Sequence, residues 1–126
     1  GQIQVMFDNM PSALPMAKEG KIRALAQTTA KRSNAATDVP TVAETVPGFE
    51  ATTWFAVFAP ADTPRAVVDR INAEMQRVFK LPEVQDKLKG VGLETWISSP
   101  EELGRYQAAE LSKWAKVVKD SGAKAD

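Results

Sequence analysis

The sequence of 126 residues contains neither cysteine nor histidine. Without cysteine there is no disulfide, thiolate metal site or cysteine nucleophile. Without histidine the chain lacks the commonest general base and metal ligand, and it cannot assemble a Ser-His-Asp triad. It also shows no paired-carboxylate motif, glycine-rich phosphate loop or metal-ligand spacing. We therefore predict that the chain is not an enzyme, and we expect neither a metal nor another cofactor.

An excess of one charge and a long hydrophobic run are also missing. Sixteen basic residues balance sixteen acidic ones, so no basic surface is expected for phosphates, and nucleic-acid binding is not predicted. No run approaches the roughly 18 apolar residues that span a membrane. The opening GQIQVMFD alternates like a strand and does not resemble a signal peptide. We expect a piece of something longer, large enough for one domain.

The most informative segment present is FEATTWFAVFAPADTPR, Phe49 to Arg65. Its apolar residues run on rather than alternate, which predicts a strand from Thr52 to Ala59 that is buried on both faces. Pro47 and Pro60 bound this strand. Thr63 followed by Pro64 is typical of an N-cap and a first-turn proline, so a helix is predicted to begin there.

The remaining pattern alternates between strands and helices, with a polar surface loop over residues 30–40. Further strands are predicted over Gln2–Asp8, Ile22–Thr28 and Leu93–Ile97. Helices are predicted over Pro11–Glu19, Val42–Val46, Pro64–Lys80 and Glu83–Lys89, and from the Ser99 cap to about Ser121. This order of elements indicates an α/β fold.

A set of short motifs, in order along the chain, resembles the C-terminal part of the tripartite tricarboxylate transporter solute receptors, the Bug family of periplasmic binding proteins. The motifs are Gly1–Asp8, Gly20–Ala26, Lys31–Ser33, Val39–Glu44, Trp54–Phe55, Ala59–Pro60, Thr63–Pro64, Gly92, Ser99–Glu102 and Trp114. The signal peptide and the glycine- and serine-rich ligand loops of such receptors have no counterpart here. The ordered set, rather than any one motif, carries the resemblance.

The resemblance implies part of a two-lobed periplasmic-binding-protein fold. Residues 1–50 would belong to lobe 2, residues 51–60 would form a hinge-crossing strand, and residues 61–126 would complete lobe 1. The implied function is that of a periplasmic receptor that binds a small carboxylate without turnover. Its implied partners are the membrane subunits of the transporter.

Asp8, Asn9 and Ser12 stand where the first predicted strand ends and the first helix begins. Ligands of α/β sheets bind at the carboxyl ends of strands, and a helix N-terminus suits a carboxylate. The alternative is that Asn9 or Ser12 only caps the helix. Asp8 would repel an anion, so we expect it to orient water or a neighbouring donor, or to meet an amino group. Trp54 is predicted either to line the cleft or to lie in the core.

Three other charged residues are candidates for the site. Arg23 and Arg32 offer guanidinium groups for a carboxylate, although a solvated or structural role is favoured for both. Glu110 falls in the apolar stripe of the last helix, where it is either a functional carboxylate or, as favoured, a member of a salt bridge or a side chain that snorkels from the edge of the stripe.

Two other functions remain open at this point. The chain is alternatively a ligand-incompetent fragment that self-associates, because the strand Thr52–Ala59 and the last helix would expose apolar faces that a second copy covers. We predict a homodimer on this ground. The less favoured alternative is a small α/β enzyme that depends on carboxylates.

Overall fold

A computed structural model describes residues 2–124. Within these residues the regular structure is helical. The helices are α1 (Met10–Lys18), a 3₁₀ helix (Val42–Glu44), α2 (Arg65–Phe79), α3 (Pro82–Gly90) and α4 (Pro100–Ser121). All five predicted helices are confirmed, and four of them keep their predicted bounds to within one residue at each end. None of the described helices is both long and apolar enough to cross a membrane.

The predicted capping signals of α4 are confirmed. The backbone amide of Glu102 donates to Ser99 Oγ at 3.2 Å, and the amide of Ser99 donates to Glu102 Oε2 at 2.7 Å. At the other end Gly122 has φ of 68°, a left-handed conformation that glycine adopts without strain. Reciprocal capping followed by glycine fixes both ends of this helix from local sequence.

The predicted strands are wrong for the described residues. In place of ladders over Gln2–Asp8, Ile22–Thr28, Thr52–Ala59 and Leu93–Ile97, the structure has one isolated parallel bridge between Gln27 and Thr41. Helices complete their hydrogen bonds locally, whereas a strand requires a neighbour. The sequence pattern carries strand preference, but residues 2–124 do not provide the neighbours.

The apolar segment, which we define as residues 52–58, is not buried on both faces as predicted. Phe55, Val57 and Phe58 are 73, 62 and 60% exposed. Within residues 2–124, the backbone groups of residues 55–58 have no hydrogen-bond partner. The prediction assumed covering layers on two sides, and the described chain does not supply them.

The chain divides into two compact units. Unit 1 comprises the described residues of Gly1–Phe58 and Phe79–Thr95, and unit 2 comprises those of Ala59–Val78 and Trp96–Asp126. The assignment of residues 1–50, 51–60 and 61–126 to lobes and a hinge stays a prediction.

The interior of unit 1 is organised around the side chain of Gln27, which is 5% exposed. Its amide nitrogen donates to the carbonyl oxygens of Ala36 and Val39 at 2.6 and 2.8 Å, and its Oε1 accepts from the amide of Ser33 at 2.9 Å. We call residues 27–41 the Gln27 loop. The prediction of a surface loop is wrong for Ser33 and Ala36, which are buried.

In unit 2, polar and aromatic contacts join α2, α4 and the residues that precede α4. Asn72 Nδ2 donates to the carbonyl oxygen of Ser98 at 3.0 Å, and Arg65 Nη1 lies 2.5 Å from Glu101 Oε1. The rings of Trp96 and Tyr106 meet edge to face, with centroids 4.6 Å apart. These contacts all lie at or near the N-terminal end of α4.

Candidate functional site

Asp8, Asn9 and Ser12 form one hydrogen-bonded group at the start of α1. Asp8 Oδ1 accepts from the backbone amide of Asn9 at 2.8 Å and from Ser12 Oγ at 2.8 Å. Ser12 Oγ also lies 2.9 Å from the carbonyl oxygen of Asn9, so its single proton is shared between two acceptors. All three residues are exposed, and the group is open to solvent.

The capping alternative is only partly met by this arrangement. Asn9 occupies the N-cap position with φ of −74° and ψ of 142°, but its side chain makes no capping hydrogen bond. Ser12 binds Asp8 and the Asn9 carbonyl instead of a backbone amide. Asp8 holds a neighbouring donor, which is one of the roles expected for it from charge repulsion.

The first turn of α1 has few free donors. Pro11 has no amide proton, and the amides of Ser12 and Ala13 both donate to the carbonyl oxygen of Asn9, at 3.1 and 3.0 Å. Within residues 2–124, the amide of Met10 has no acceptor. The donors left free, which we call the outward-facing donors, are therefore this amide and the Asn9 carboxamide, because the single Ser12 proton is held by Asp8 and the Asn9 carbonyl. The sequence pointed to the free amides of a helix N-terminus but did not single out Met10 as the residue that supplies one.

The electrostatics of this group do not by themselves attract an anion. The N-terminus of a helix carries about half a positive charge, whereas the ionised carboxylate of Asp8 carries a full negative one. A bound carboxylate would have to be held by directed hydrogen bonds from the outward-facing donors. Because these charges oppose each other, such a site would select a ligand by the positions of its acceptor atoms rather than by its negative charge alone.

Trp54 lies in the same unit as this group and is half-buried within the apolar segment. Its neighbour Phe55 is largely exposed. The choice between cleft wall and core for Trp54 stays a prediction.

Arg32 has the structural role that was favoured for it. Its Nε and Nη2 atoms bind the two carboxylate oxygens of Glu44, each at 2.7 Å, and Nη1 donates to the carbonyl oxygen of Thr37 at 3.0 Å. The hydrogen bonds from Arg32, followed by that from the Thr41 amide, lower the pKa of Glu44 to about 2. Arg32 therefore ties the middle of the Gln27 loop to Glu44, which follows the loop in sequence. Its guanidinium group is engaged within the protein. Arg23 is exposed.

Glu110 is buried, at 9% exposure, and is bound by its own helix. Trp114 Nε1 donates to Glu110 Oε2 at 2.9 Å, and Lys113 Nζ lies 3.4 Å from Oε1. The favoured salt-bridge interpretation is confirmed, with the indole of Trp114 as an additional donor.

One open cavity of about 240 Å³ lies in unit 1, between α3 and the Gln27 loop. It is lined by Asn34, Ala35, Gln85, Leu88, Lys89, Leu93, Glu94 and Thr95. Glu94 Oε1 is already occupied, because it accepts from Ser33 Oγ at 3.0 Å and from the amide of Asn34 at 3.2 Å. None of the predicted site residues lines this cavity. Across residues 2–124 no group of three acidic side chains could hold a metal ion.

The sequence model of one protein family, described as the tripartite tricarboxylate transporter family receptor, matches residues 1–123. The chain belongs to this family. The resemblance drawn from the motifs is confirmed over nearly the whole sequence.

Curated relatives agree with the family and are much longer than this chain. A UPF0065 protein encoded in the tcbD-tcbE intergenic region of Pseudomonas sp. strain P51 is 38% identical over 120 residues, which cover 94% of this chain and 36% of the relative. Protein BugT of Bordetella pertussis is 33% identical over 125 residues, covering 98% of this chain and 38% of BugT. The chain thus spans little more than a third of the length of these two relatives.

Solved structures show the same fold. R. palustris Rpa4515, solved with adipate, superposes with a TM-score of 0.84 at 39% identity and covers 91% of this chain and 39% of that protein. The periplasmic binding protein BugD gives a TM-score of 0.80 at 30% identity, over 90% of this chain and 39% of BugD. The α/β fold class is confirmed: the chain corresponds to part of the two-lobed periplasmic-binding-protein fold.

Proposed function

We propose that the chain is the part of an extracytoplasmic solute receptor that holds a small carboxylate at the N-terminus of α1. The observation that carries the proposal is the amide of Met10, which has no acceptor within residues 2–124, in the same helical turn as the Ser12 hydroxyl that Asp8 holds at 2.8 Å. Membership in the receptor family supports it, as does the likeness to a protein solved with adipate. The ligand is bound and released without chemical change.

In this proposal each residue of the group has a separate role. The ligand carboxylate accepts from the Met10 amide and from the side chain of Asn9, and it takes over the single proton of Ser12 Oγ that Asp8 and the Asn9 carbonyl hold in the free protein. Hydrogen bonds to an ionised acceptor are about twice as strong as neutral ones, which offsets part of the repulsion from Asp8. Asp8 keeps the Ser12 hydroxyl in place until the ligand binds and does not touch the carboxylate. Trp54 forms a wall of the cleft against the apolar part of the ligand.

The proposal also covers the location of the protein and its protein partners. Its relatives include the periplasmic binding protein BugD, which supports a periplasmic location for this chain. The family description supports the membrane subunits of a tripartite tricarboxylate transporter as its protein partners. No nucleic acid is a partner in this proposal, since the sixteen basic and sixteen acidic residues balance.

An adipate titration monitored through backbone amide resonances tests the proposal. Because one lobe supplies only part of a receptor's contacts, millimolar dissociation constants are to be expected, and amide resonances detect binding of that strength. We expect saturable shifts of the Asn9, Met10 and Ser12 amides. The diol 1,6-hexanediol, which has the same carbon chain without charge, is the matched control and is expected to leave these amides unshifted.

Two results would contradict the proposal. In one, adipate and related mono-, di- and tricarboxylates leave the α1 amides unshifted at saturating concentration. In the other, the shifts gather at Asn34, Lys89 and Thr95, which would move the ligand to the cavity beside α3.

A second candidate function is self-association as a homodimer, and the exposed apolar surface favours it. Phe55, Val57 and Phe58 of the apolar segment are exposed, and so are four apolar residues of α4: Leu111, Trp114, Val117 and Val118. Exposed apolar surface in either set is typical of an interaction site. Within residues 2–124 the backbone groups of residues 55–58 are also unpaired, and a strand from a second copy would satisfy them.

Analytical ultracentrifugation over a wide concentration range tests the dimer. We expect a reversible monomer–dimer equilibrium that shifts to monomer when Phe55 is replaced by serine. A chain that stays a single monomeric species at the highest concentration would exclude the dimer without affecting the ligand site.

A further inference from the structure

The turn that ends α3 is a Schellman motif centred on Gly92. The amide of Gly92 donates to the carbonyl oxygen of Lys89 at 3.0 Å, and the amide of Leu93 donates to that of Leu88 at 2.9 Å. Gly92 has φ of 77°, the left-handed conformation that this motif places after the helix. This motif explains why residue 92 is a glycine, but by itself it assigns the glycine no role beyond ending α3.

Helix α1 ends in the same motif, centred on Gly20, which allows a comparison. The amide of Gly20 donates to Ala17 at 3.0 Å, and that of Lys21 donates to Met16 at 2.9 Å. Gly20 has φ of 71°, close to that of Gly92. A Cβ atom built on Gly20 meets nothing within 4 Å. Conformational strain on substitution is therefore matched at the two glycines.

The surroundings of the two glycines differ. A Cβ atom on Gly92 would overlap Met10 Cγ well inside van der Waals contact, and it would lie 3.2 Å from Met10 Cβ and 3.5 Å from Leu14 Cδ2. Met10 Cγ can move away by rotation of the side chain. Met10 Cβ is fixed to the backbone, so it moves only if the first turn of α1 moves.

We propose that Gly92 is a positioning residue for the first turn of α1, acting through its close contact with Met10. Met10 is the first residue of the helix, directly after Asp8 and Asn9 and two residues before Ser12. The bare backbone of Gly92 lets the α3 turn seat against Met10 and so sets where the outward-facing donors lie. The link to the ligand rests on the proposed function, whereas the link to α1 rests on the contact alone.

Amide hydrogen exchange on the whole chain tests the positioning without any ligand. The reporters are the amides of Ser12 and Ala13, which both donate to the Asn9 carbonyl in the first turn. We expect Gly92→Ala to lower their protection about tenfold relative to Gly20→Ala, which carries the same backbone strain without the contact. The amides of Gln27 and Val42, which close the Gln27 loop, report on unit 1 as a whole and are expected to change equally in the two variants.

A compensating substitution shows whether the effect passes through Met10. Replacing Met10 by glycine removes both the Cγ and the Cβ atoms that a new Cβ at position 92 would meet. We expect Gly92→Ala combined with Met10→Gly to return most of the lost protection at Ser12 and Ala13, measured against Met10→Gly alone in a double-mutant cycle. Additive effects of the two substitutions would overturn the proposal, as would equal effects of Gly92→Ala and Gly20→Ala.

An adipate titration of the same variants separates this inference from the proposed function. If both hold, Gly92→Ala weakens adipate binding more than Gly20→Ala does, and Met10→Gly restores part of it. If exchange responds as expected but no variant, including the unaltered chain, shifts on addition of adipate, the positioning stands and the ligand proposal fails. If the unaltered chain binds adipate and Gly92→Ala binds it as tightly as Gly20→Ala, the positioning role at the ligand site is wrong.

Discussion

The Gln27 loop is partly buried although its sequence indicates a surface loop, and the apolar segment is exposed although its sequence indicates a buried strand. The Gln27 loop is polar, yet it holds four of the six buried residues of the described chain, namely Gln27, Ser33, Ala36 and Thr41. Residues 52–58 are the most apolar stretch between prolines, yet Phe55, Val57 and Phe58 are more than half exposed. The contrast teaches that burial follows the partners available to a segment as well as its hydropathy.

The cause lies in how each segment completes its contacts. The Gln27 loop makes most of its hydrogen bonds locally, through one carboxamide and the Arg32–Glu44 pair, and Glu94 accepts two more from Ser33 and Asn34. The apolar segment requires neighbouring strands and covering helices from elsewhere. This chain spans 36 to 38% of its curated relatives BugT and the Pseudomonas protein. Those relatives therefore have much more polypeptide than this chain.

The largest effect is expected from breaking the Gln27 loop. Replacing Gln27 by alanine leaves the carbonyl oxygen of Val39 and the amide of Ser33 without their partner, and it leaves the carbonyl oxygen of Ala36 with the Val39 amide alone. We expect the free energy of unfolding to fall by about 2–4 kcal/mol, measured by urea denaturation. Gln85→Ala is the control, because its exposed carboxamide makes a single bond, to Phe79 at 3.2 Å. Equal losses of unfolding free energy in the two variants would contradict a special role of Gln27 in the loop.

The apolar segment is expected to respond in the opposite way. Replacing Phe55 by serine should change the free energy of unfolding of the monomer by less than about 0.5 kcal/mol, because the ring is already in solvent. Leu14→Ala, at a buried position, should cost about 2–4 kcal/mol. Denaturation at low protein concentration measures both. A large loss from Phe55→Ser would mean that the segment is covered within the chain.

Acid should weaken the Gln27 loop through Glu44. Its carboxyl has a pKa of about 2 in the folded protein, against an ordinary value of 4.5. The unfolded chain therefore binds this proton more readily, so the stabilisation is complete above pH 4.5 and is lost as the pH falls towards 2. Arg32→Met should flatten this acid dependence, measured by denaturation across that range. Arg23→Met, at an exposed arginine, should leave its slope as it is.

The smallest effect is expected at Asp8. Replacing Asp8 by asparagine keeps an oxygen that accepts from Ser12 and removes the negative charge beside the proposed ligand. We expect adipate to bind about threefold more tightly, since an exposed charge pair contributes up to about 1 kcal/mol. Asp8→Ala, which removes the acceptor as well, should not show this gain. Weaker binding by the asparagine variant would mean that Asp8 contacts a positive group of the ligand.

The helices could be predicted from the sequence because their signals are local. Ser99, Pro100 and Glu102 specify the start of α4, and Gly122 specifies its end. The strands could not be placed correctly, because a strand is defined by a neighbour, and the described residues provide one bridge at Gln27 and Thr41. The buried role of Gln27 was also missed. Its only signal was a carboxamide inside the apolar stretch IRALAQT.

The candidate site was partly visible in the sequence. Asp8, Asn9 and Ser12 were found because a strand pattern gave way to a helix pattern there, and the structure joins them by hydrogen bonds. The contact between Gly92 and Met10 could not be predicted, because the two residues are distant in sequence. Ending a helix was also a sufficient local explanation for a glycine at position 92. Long-range contacts of this kind leave no periodic pattern.

The most direct test of the account compares adipate binding to the unaltered chain and to the Ser12→Ala variant, by amide resonance titration. The proposal makes the Ser12 hydroxyl a donor to the ligand carboxylate, so its loss should weaken binding about tenfold and leave the Gln27 loop resonances unchanged. Equal dissociation constants for the two proteins would contradict a carboxylate site at the N-terminus of α1.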